Sequence, residues 1–194
     1  MITVNDSVES ALSAPLTLFP YGLVRRHGTP ATTGIYILHE GALGVFDETL
    51  REEDYDDMRD ADGGVSEIRP EMPGGWIGFT DKYWLAALLP DQSANMNFAF
   101  KSLAGSSDRY QVDYIASEAS VLPAGGVVYS QTRLFAGAKK VSLLDGYADE
   151  LGIANFDLAI DFGWFYFLTK PFFYAINWLN SLLGNFGLAV LAFT

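Results

Sequence analysis

Charge in this chain all but ends at residue 161. All 24 acids and 11 of the 12 bases fall in residues 1–161, and residues 162–194 carry Lys170 alone. The two stretches need different surroundings. An acidic body can face water, whereas an almost uncharged tail rich in Phe, Trp and Leu must be covered by protein or by lipid. The start, Met1 to Pro15, has neither a basic n-region nor an apolar h-region, so it does not read as a signal peptide.

The rest of the composition narrows the function classes. A 194-residue chain suits one domain plus a tail, and 49% hydrophobic with 14% aromatic residues is too apolar for a disordered acidic protein. A formal net charge of −12 argues against general nucleic-acid binding, which needs a basic surface to displace counterions from phosphates. Without cysteine there is no disulfide framework, thiolate nucleophile or Cys-type zinc site.

The body reads as short β-branched and aromatic runs separated by Gly, Pro, Asn and Asp. Gly34–Leu38, Leu43–Phe46, Trp76–Thr80, Tyr83–Leu89, Tyr110–Ala116 and Val127–Phe135 are predicted strands. In the last of these, Val128, Ser130, Thr132 and Leu134 share one face and Val127, Tyr129, Gln131, Arg133 and Phe135 the other. Turn signals recur at Pro73-Gly74-Gly75, Pro90-Asp91, Gly105 to Asp108 and Pro123 to Gly126. Many short strands at this spacing predict an all-β sandwich.

Asp47–Glu71 departs from that rhythm, with 11 acids and three arginines. A calcium loop of the EF-hand type fails there. Placing its glycine on Gly63 puts Met58 and Arg69 where acids are required. The segment is predicted to be a solvated acidic loop or an exposed edge. Catalytic motifs are absent too: no nucleophile elbow, no phosphate-binding glycine loop, and two histidines, His27 and His39, predicted at a turn and at a strand end. No enzyme activity, cofactor or metal is expected.

In the tail, Pro171 is expected in the first turn of a helix, where its missing N–H costs nothing. The polar positions Asn177, Asn180, Ser181 and Gly184 then form a narrow stripe, with Phe172, Phe173, Ile176, Trp178, Leu179, Leu182 and Leu183 over the rest. Such a helix either packs on the sandwich or lies in a headgroup layer, where Trp, Tyr and Phe partition well. Leu182–Thr194, apolar apart from Asn185 and the last Thr, favours the second reading. Thirteen residues fall short of the about 20 that cross a bilayer as a helix, so that run is expected to be a transmembrane helix cut off partway.

Three stretches then resemble the YidC-type membrane protein insertases of bacterial inner membranes. They are Gly28–Leu50 (GTPATTGIYILHEGALGVFDETL), Gly74–Gln92 (GGWIGFTDKYWLAALLPDQ) and, most specifically, Arg133 to Thr194, containing FDLAIDFGWFYFLTKPFFYAINWLNSLLGNFGLAV. The resemblance implies a mutarotase-like β-supersandwich, truncated here, followed by an amphipathic helix that runs into a transmembrane helix. It implies residues 1–160 as a partial periplasmic domain, 161–184 as the interfacial helix and 185–194 as the start of the transmembrane helix. It further implies a junction at Asp161, Gly163, Pro171, Asn185 and Gly187, and a membrane interface of Trp164, Phe165, Phe167, Lys170, Phe172, Phe173 and Trp178.

The whole protein would assist insertion, folding and assembly of inner-membrane proteins, with or without the Sec translocon. The body of this chain would stand on the periplasmic side. Expected partners are the inner-membrane bilayer, nascent membrane proteins reached through the part of the family's architecture beyond Thr194, and Sec accessory subunits, with no nucleic acid. The alternatives are a mutarotase-like sugar-binding domain, which needs a histidine facing an aromatic-lined pocket, and a docking module for Sec accessory subunits.

Overall fold

Apolar side chains alternate with a period of two through much of the first 160 residues, and this alternation builds antiparallel sheets. The computed structural model describes residues 1–32, 38–103, 108–161 and 166–194, which divide into two compact units, Met1–Ile160 and Asp161–Thr194. In the first unit a six-stranded sheet runs β1 (Ile2–Glu9), β12 (Val127–Ala138), β8 (Trp84–Leu89), β7 (Trp76–Thr80), β4 (Gly41–Phe46) and β5 (Thr49–Asp54). Opposite it, a four-stranded sheet runs β3 (Tyr21–His27), β10 (Arg109–Ala116), β9 (Asn95–Ser102) and β6 (Val65–Pro73). A ribbon of β2 (Leu16–Leu18) and β11 (Ser120–Leu122) completes the strands described.

The sheets meet through one face of each. Ala42, Phe46, Ile77, Phe79 and Leu88 of the larger sheet pack on Met96, Phe98, Phe100, Tyr110, Val112 and Tyr114 of the smaller. The Phe46 and Phe98 rings lie 4.7 Å apart. On its other face the larger sheet is covered again. Leu43, Val45, Trp76, Leu85, Ala87, Leu89 and Phe135 meet Leu144 of α2 (Val141–Leu151) and Ile153, Phe156 and Ala159 beyond it. The Trp76 ring meets Phe156 edge-on at 5.3 Å, and its Nε1–H donates to the Ala154 carbonyl at 3.3 Å. Every residue of β4 and β7 is therefore buried.

The predicted antiparallel sandwich with C-terminal helices is what forms, with differences that have physical causes. Strand β8 starts one residue after Tyr83 and β12 runs on to Ala138. The predicted strand Gly34–Leu38 falls at residues 33–37 outside those described, and Leu38 sits in a bend. Of the two readings of the acidic stretch, the exposed edge is the one that forms. The stretch makes β5 and β6, edges of the two sheets, joined through α1 (Tyr55–Asp60) and a short 3-10 turn. Its acids act locally: Asp54 caps α1 by accepting from the Asp56 and Asp57 amides at 3.0 and 2.9 Å. His27 is not in a turn but is the last residue of β3, opposite Arg109, while His39 lies just ahead of β4.

Helix α1 also drives Tyr55 and Met58 into the core, where Tyr55 is 2% exposed. Burial pushes the Tyr55 hydroxyl up from 10 to about 12, against the opposing pull of the Arg26 guanidinium. The neutral phenol is the form that the fold holds. Between pH 10 and pH 12 the unfolded chain gives up this proton first, so stability falls as pH rises through that window. The loss should be on the order of 2 kcal/mol. Urea unfolding across the window should show a shallower decline for Tyr55→Phe than for the parent chain, and parallel declines would contradict this assignment.

Candidate functional site

The second unit is a helical hairpin. Helix α3 spans Tyr166–Leu183 and α4 spans Phe186–Phe193. The first has no glycine and few β-branched residues, so little opposes a helix locally. Pro171 is the exception and stands where it was not expected, as the sixth helical residue rather than in the first turn. With Pro171 at the sixth position, its missing N–H and its ring fall on the carbonyl of the second helical residue, Phe167, so the disturbance is confined to the opening turn.

The turn is built from two residues. Gly184 takes the left-handed conformation (φ 64°) and donates its N–H to the Asn180 carbonyl at 2.8 Å, closing α3. Asn185 opens α4, its Oδ1 accepting from the Leu188 amide at 3.1 Å. The junction expected at Asn185 to Gly187 is thus one residue earlier. Gly187 lies inside α4 because Asn185 has already supplied the cap. The two helices are locked by Phe172 against Phe193, with rings 5.2 Å apart, and by Ala189, which is fully buried.

Most of what remains outside is apolar, with Thr169, Asn177, Ser181 and Asn185 exposed among it. Phe167 (74%), Leu191 (73%), Leu182 (64%) and Trp178 (62%) are the most open, and Phe172, Phe173, Phe186 and Leu188 are exposed as well. Lys170, the one charged side chain after Asp161, is half-buried, and Asp161 is exposed. Gly163, Trp164 and Phe165, three of the expected site residues, lie outside the described residues. Sequence reasoning named the α3 aromatics but no α4 side chain as interface. Leu188 and Leu191, three apart, were the available signal.

Exposed aromatic and aliphatic surface of this kind, with one basic side chain, suits the boundary between headgroups and acyl chains. Among the described residues, no helix is long and apolar enough to cross a membrane. Helix α3, at 1.5 Å per residue, reaches about 27 Å but carries Lys170 and three polar residues in its second half. Helix α4 covers about 12 Å.

The histidines show no comparable constellation. His27 is exposed, and His39 holds its Nε2 2.9 Å from the Ala42 carbonyl oxygen. Among the clefts of the described residues are two of moderate size. One of about 380 Å3 lies around Asn95, Glu118 and Tyr129, and one of about 310 Å3 lies around Arg26, Phe79 and Trp84. Neither is lined by a histidine.

An antiparallel β-sandwich domain ending in an exposed apolar helical hairpin is the class these features define. Residues 1–175 match the family model of the YidC periplasmic domain, and the chain belongs to that family. It is 45% identical over its whole length to the membrane protein insertase YidC of Nitrobacter hamburgensis, covering 33% of that protein. It is 46% identical to that of Granulibacter bethesdensis and 42% identical to that of Rickettsia felis, covering all of this chain and 34% of each relative. The chain thus spans about a third of the length of the curated relatives it matches.

The hairpin turn can be tested alone. Asn185→Ala removes the cap of α4, worth about 1 kcal/mol. Amide exchange at Leu188 should then speed up about fivefold, with exchange at Phe98 in β9 unchanged. Unaltered exchange at Leu188 would show that the cap does not hold the turn.

Proposed function

We propose that this chain is the periplasmic body and membrane-facing junction of an insertase that assists insertion, folding and assembly of bacterial inner-membrane proteins. The observation that carries this reading is the α3–α4 hairpin, whose outer surface is aromatic and aliphatic around a single lysine. The names of the relatives support the wider role.

In this reading α3 lies along the bilayer on the periplasmic side, with Phe167, Phe172, Phe173 and Trp178 among the acyl-chain ends. Lys170 reaches up to the headgroups on its aliphatic stem. Trp164 and Phe165 extend the same interface. Asp161 and Gly163 lead into it, and α4 turns from the interface toward the hydrocarbon core as the start of the membrane-crossing helix. Pro171 and Asn185 set where the helices bend and restart.

The chain's own part is to position rather than to catalyse. Moving a polar client segment through lipid requires a hydrated groove closed by several helices, so that charged and backbone groups stay solvated. The partners are accordingly the bilayer, and nascent membrane proteins handled by the whole insertase. No covalent chemistry is assigned to His27 or His39.

Three measurements test this. In flotation with phosphatidylcholine liposomes the chain should rise with the lipid. Phe172→Glu with Trp178→Glu should weaken that association at least about tenfold, since a charge at the membrane is expensive. Equal flotation of both would remove the interfacial role. Residues 1–194 reconstituted alone should give no protease-protected single-span client above empty liposomes, and protected client would force a working site into this chain. In the full-length context, His27→Ala and His39→Ala should support growth of cells depleted of their native insertase, and loss of growth at normal protein levels would reveal a missed site.

A further inference from the structure

The two sheets are unequal, and the difference leaves a ledge. Strand β3 faces β8, β10 faces β7 and β6 faces β4, so β12 and β1 reach past the end of the four-stranded sheet. Ile2 and Val4 stand opposite Leu134 and Thr132 in the β1–β12 ladder, and Val8 opposite Val128. They therefore share the face on which Leu134 packs against the core and Thr132 meets the Tyr114 hydroxyl. In a sandwich that face carries the covered side chains. Here Ile2 is 57% exposed, and Val4 and Val8 are exposed too, with Asp6 the one polar residue among them. Trp84, in step with the core residue Leu88 on β8, is 60% exposed on the same face.

Strand β3 borders this ledge with an open backbone. Its ladder with β10 runs without a break from Tyr21 to His27. The Ala116 N–H donates to the Pro20 carbonyl at 2.9 Å and the Gly28 N–H to the Asp108 carbonyl at 2.8 Å, and these two bonds fix the phase of the ladder. Gly22, Val24 and Arg26 turn their N–H and C=O groups to β10. Tyr21, Leu23, Arg25 and His27 turn theirs to the free edge, where among the described residues no second strand pairs with β3. Edges are normally blunted by proline, lysine or a bulge, and β3 has none of these. Its arginines are held elsewhere: Arg25 Nε donates to Gln111 Oε1 at 3.1 Å, and Arg26 pairs with Asp81 at 2.6 Å. The two clefts adjoin the ends of the strand. Pro20, Tyr114 and Thr132 line the larger, and Arg26, Trp84 and Ala136 line the smaller.

We propose that this place is a strand acceptor, in which a β-strand from the part of the insertase outside residues 1–194 pairs with the free edge of β3 and lays alternate apolar side chains on Ile2, Val4 and Trp84. A polypeptide backbone answers both halves of the site. An acyl chain or a small apolar ligand would cover the ledge but would offer nothing to the N–H and C=O groups along β3. The ledge is two strands wide, about 10 Å at about 4.8 Å per strand, which leaves room for the incoming strand. The relatives match this chain along its whole length and are about three times as long, so the insertase has chain enough to supply it. A strand tethered in the same molecule acts at an effective concentration on the order of millimolar, an advantage that a separate protein lacks. The proposal rests on the proposed function in placing these residues within a longer insertase.

The test is residue-resolved amide exchange in the purified full-length insertase, with Val24 as the internal standard because its N–H is already bonded to β10. The Leu23 and Arg25 amides should exchange within about tenfold of Val24, as paired strand amides do. Exchange at least about a hundredfold faster than Val24 overturns the proposal, because an open edge behaves that way. Protection that is lost on hundredfold dilution assigns the edge to a second copy, and protection that appears only when a nascent client is added assigns it to the client; either result also overturns it. Leu23→Pro removes one outward N–H and leaves the bonds to β10 in place. It should speed exchange at Arg25 about tenfold while Val24 stays within about twofold. The parent measurement stands without that variant. Failure of the junction reading shows instead in the flotation experiment and leaves this exchange pattern as it is.

Discussion

Strands β4 and β7 are dry on both faces, and the β unit is arranged around that condition. An antiparallel sheet commonly keeps one face in water, so its strands alternate. Here one face of the six-stranded sheet meets the four-stranded sheet, and the other meets α2 and the segment ending at Ala159. Trp76 makes the second contact demanding. An indole buried without a partner for its N–H would be costly, and the Ala154 carbonyl supplies that partner only while the segment after α2 stays docked. Gly44 and Gly78 show how closely the adjacent strands of this sheet approach. A Cβ at Gly44 would stand 2.8 Å from the Trp76 carbonyl oxygen, and one at Gly78 would stand 2.8 Å from the Ala87 Cα.

Charge is what such a three-layered unit must keep at its margins. Strands β5 and β6, each at a sheet edge, carry five of the eleven acids of the acidic run, which also protects those edges from pairing with other chains. The crowding has a measurable trace. Partial burial, then Asp57, Glu67 and Asp54 nearby, hold the Glu53 carboxyl above the usual carboxylate value. One internal pair is kept on the smaller sheet. Asp113, almost fully covered, receives both a lysine ammonium from Lys101 at 2.8 Å and an amide N–H from Gln111. With both partners in place the burial of that carboxylate is tolerated, and removing Lys101 would leave it uncompensated.

How far the sequence could be read follows from these contacts. Trp76–Thr80 was legible to the residue, because Gly74-Gly75 and Asp81 bracket an unbroken apolar run. The family itself was legible from long matching stretches. Strands β1 and β3 were not. The eight residues of β1 are all exposed, and Asp6 breaks the face that Ile2, Val4 and Val8 share, so pairing with β12 is what makes them a strand. Helix α2 hides for a related reason. Val141 and Leu144 are its buried residues, too few to stand out among Asp145, Gly146, Asp149 and Glu150. In the hairpin, the single-charge tail announced an apolar surface, but the start of α3 depended on how much a proline disturbs a helix, which spacing does not state.

The hairpin and its surroundings are coupled through the backbone. An 18-residue helix with exposed aromatics gains little from water, since isolated helices of that length are marginal even when rich in alanine. At a lipid interface the balance shifts, because there every unpaired N–H and C=O is expensive and the helix satisfies them within itself. Aromatic partitioning and backbone hydrogen bonding then favour the same state. Gly184 and Asn185 matter more in that setting than in water. They satisfy the groups at the turn where two helices would otherwise present open ends to an apolar phase. The proposed interfacial setting would also account for the lone Lys170: its aliphatic stem would span the change from hydrocarbon to headgroup, and one charge at that depth would fix the height of the helix without drawing it into water.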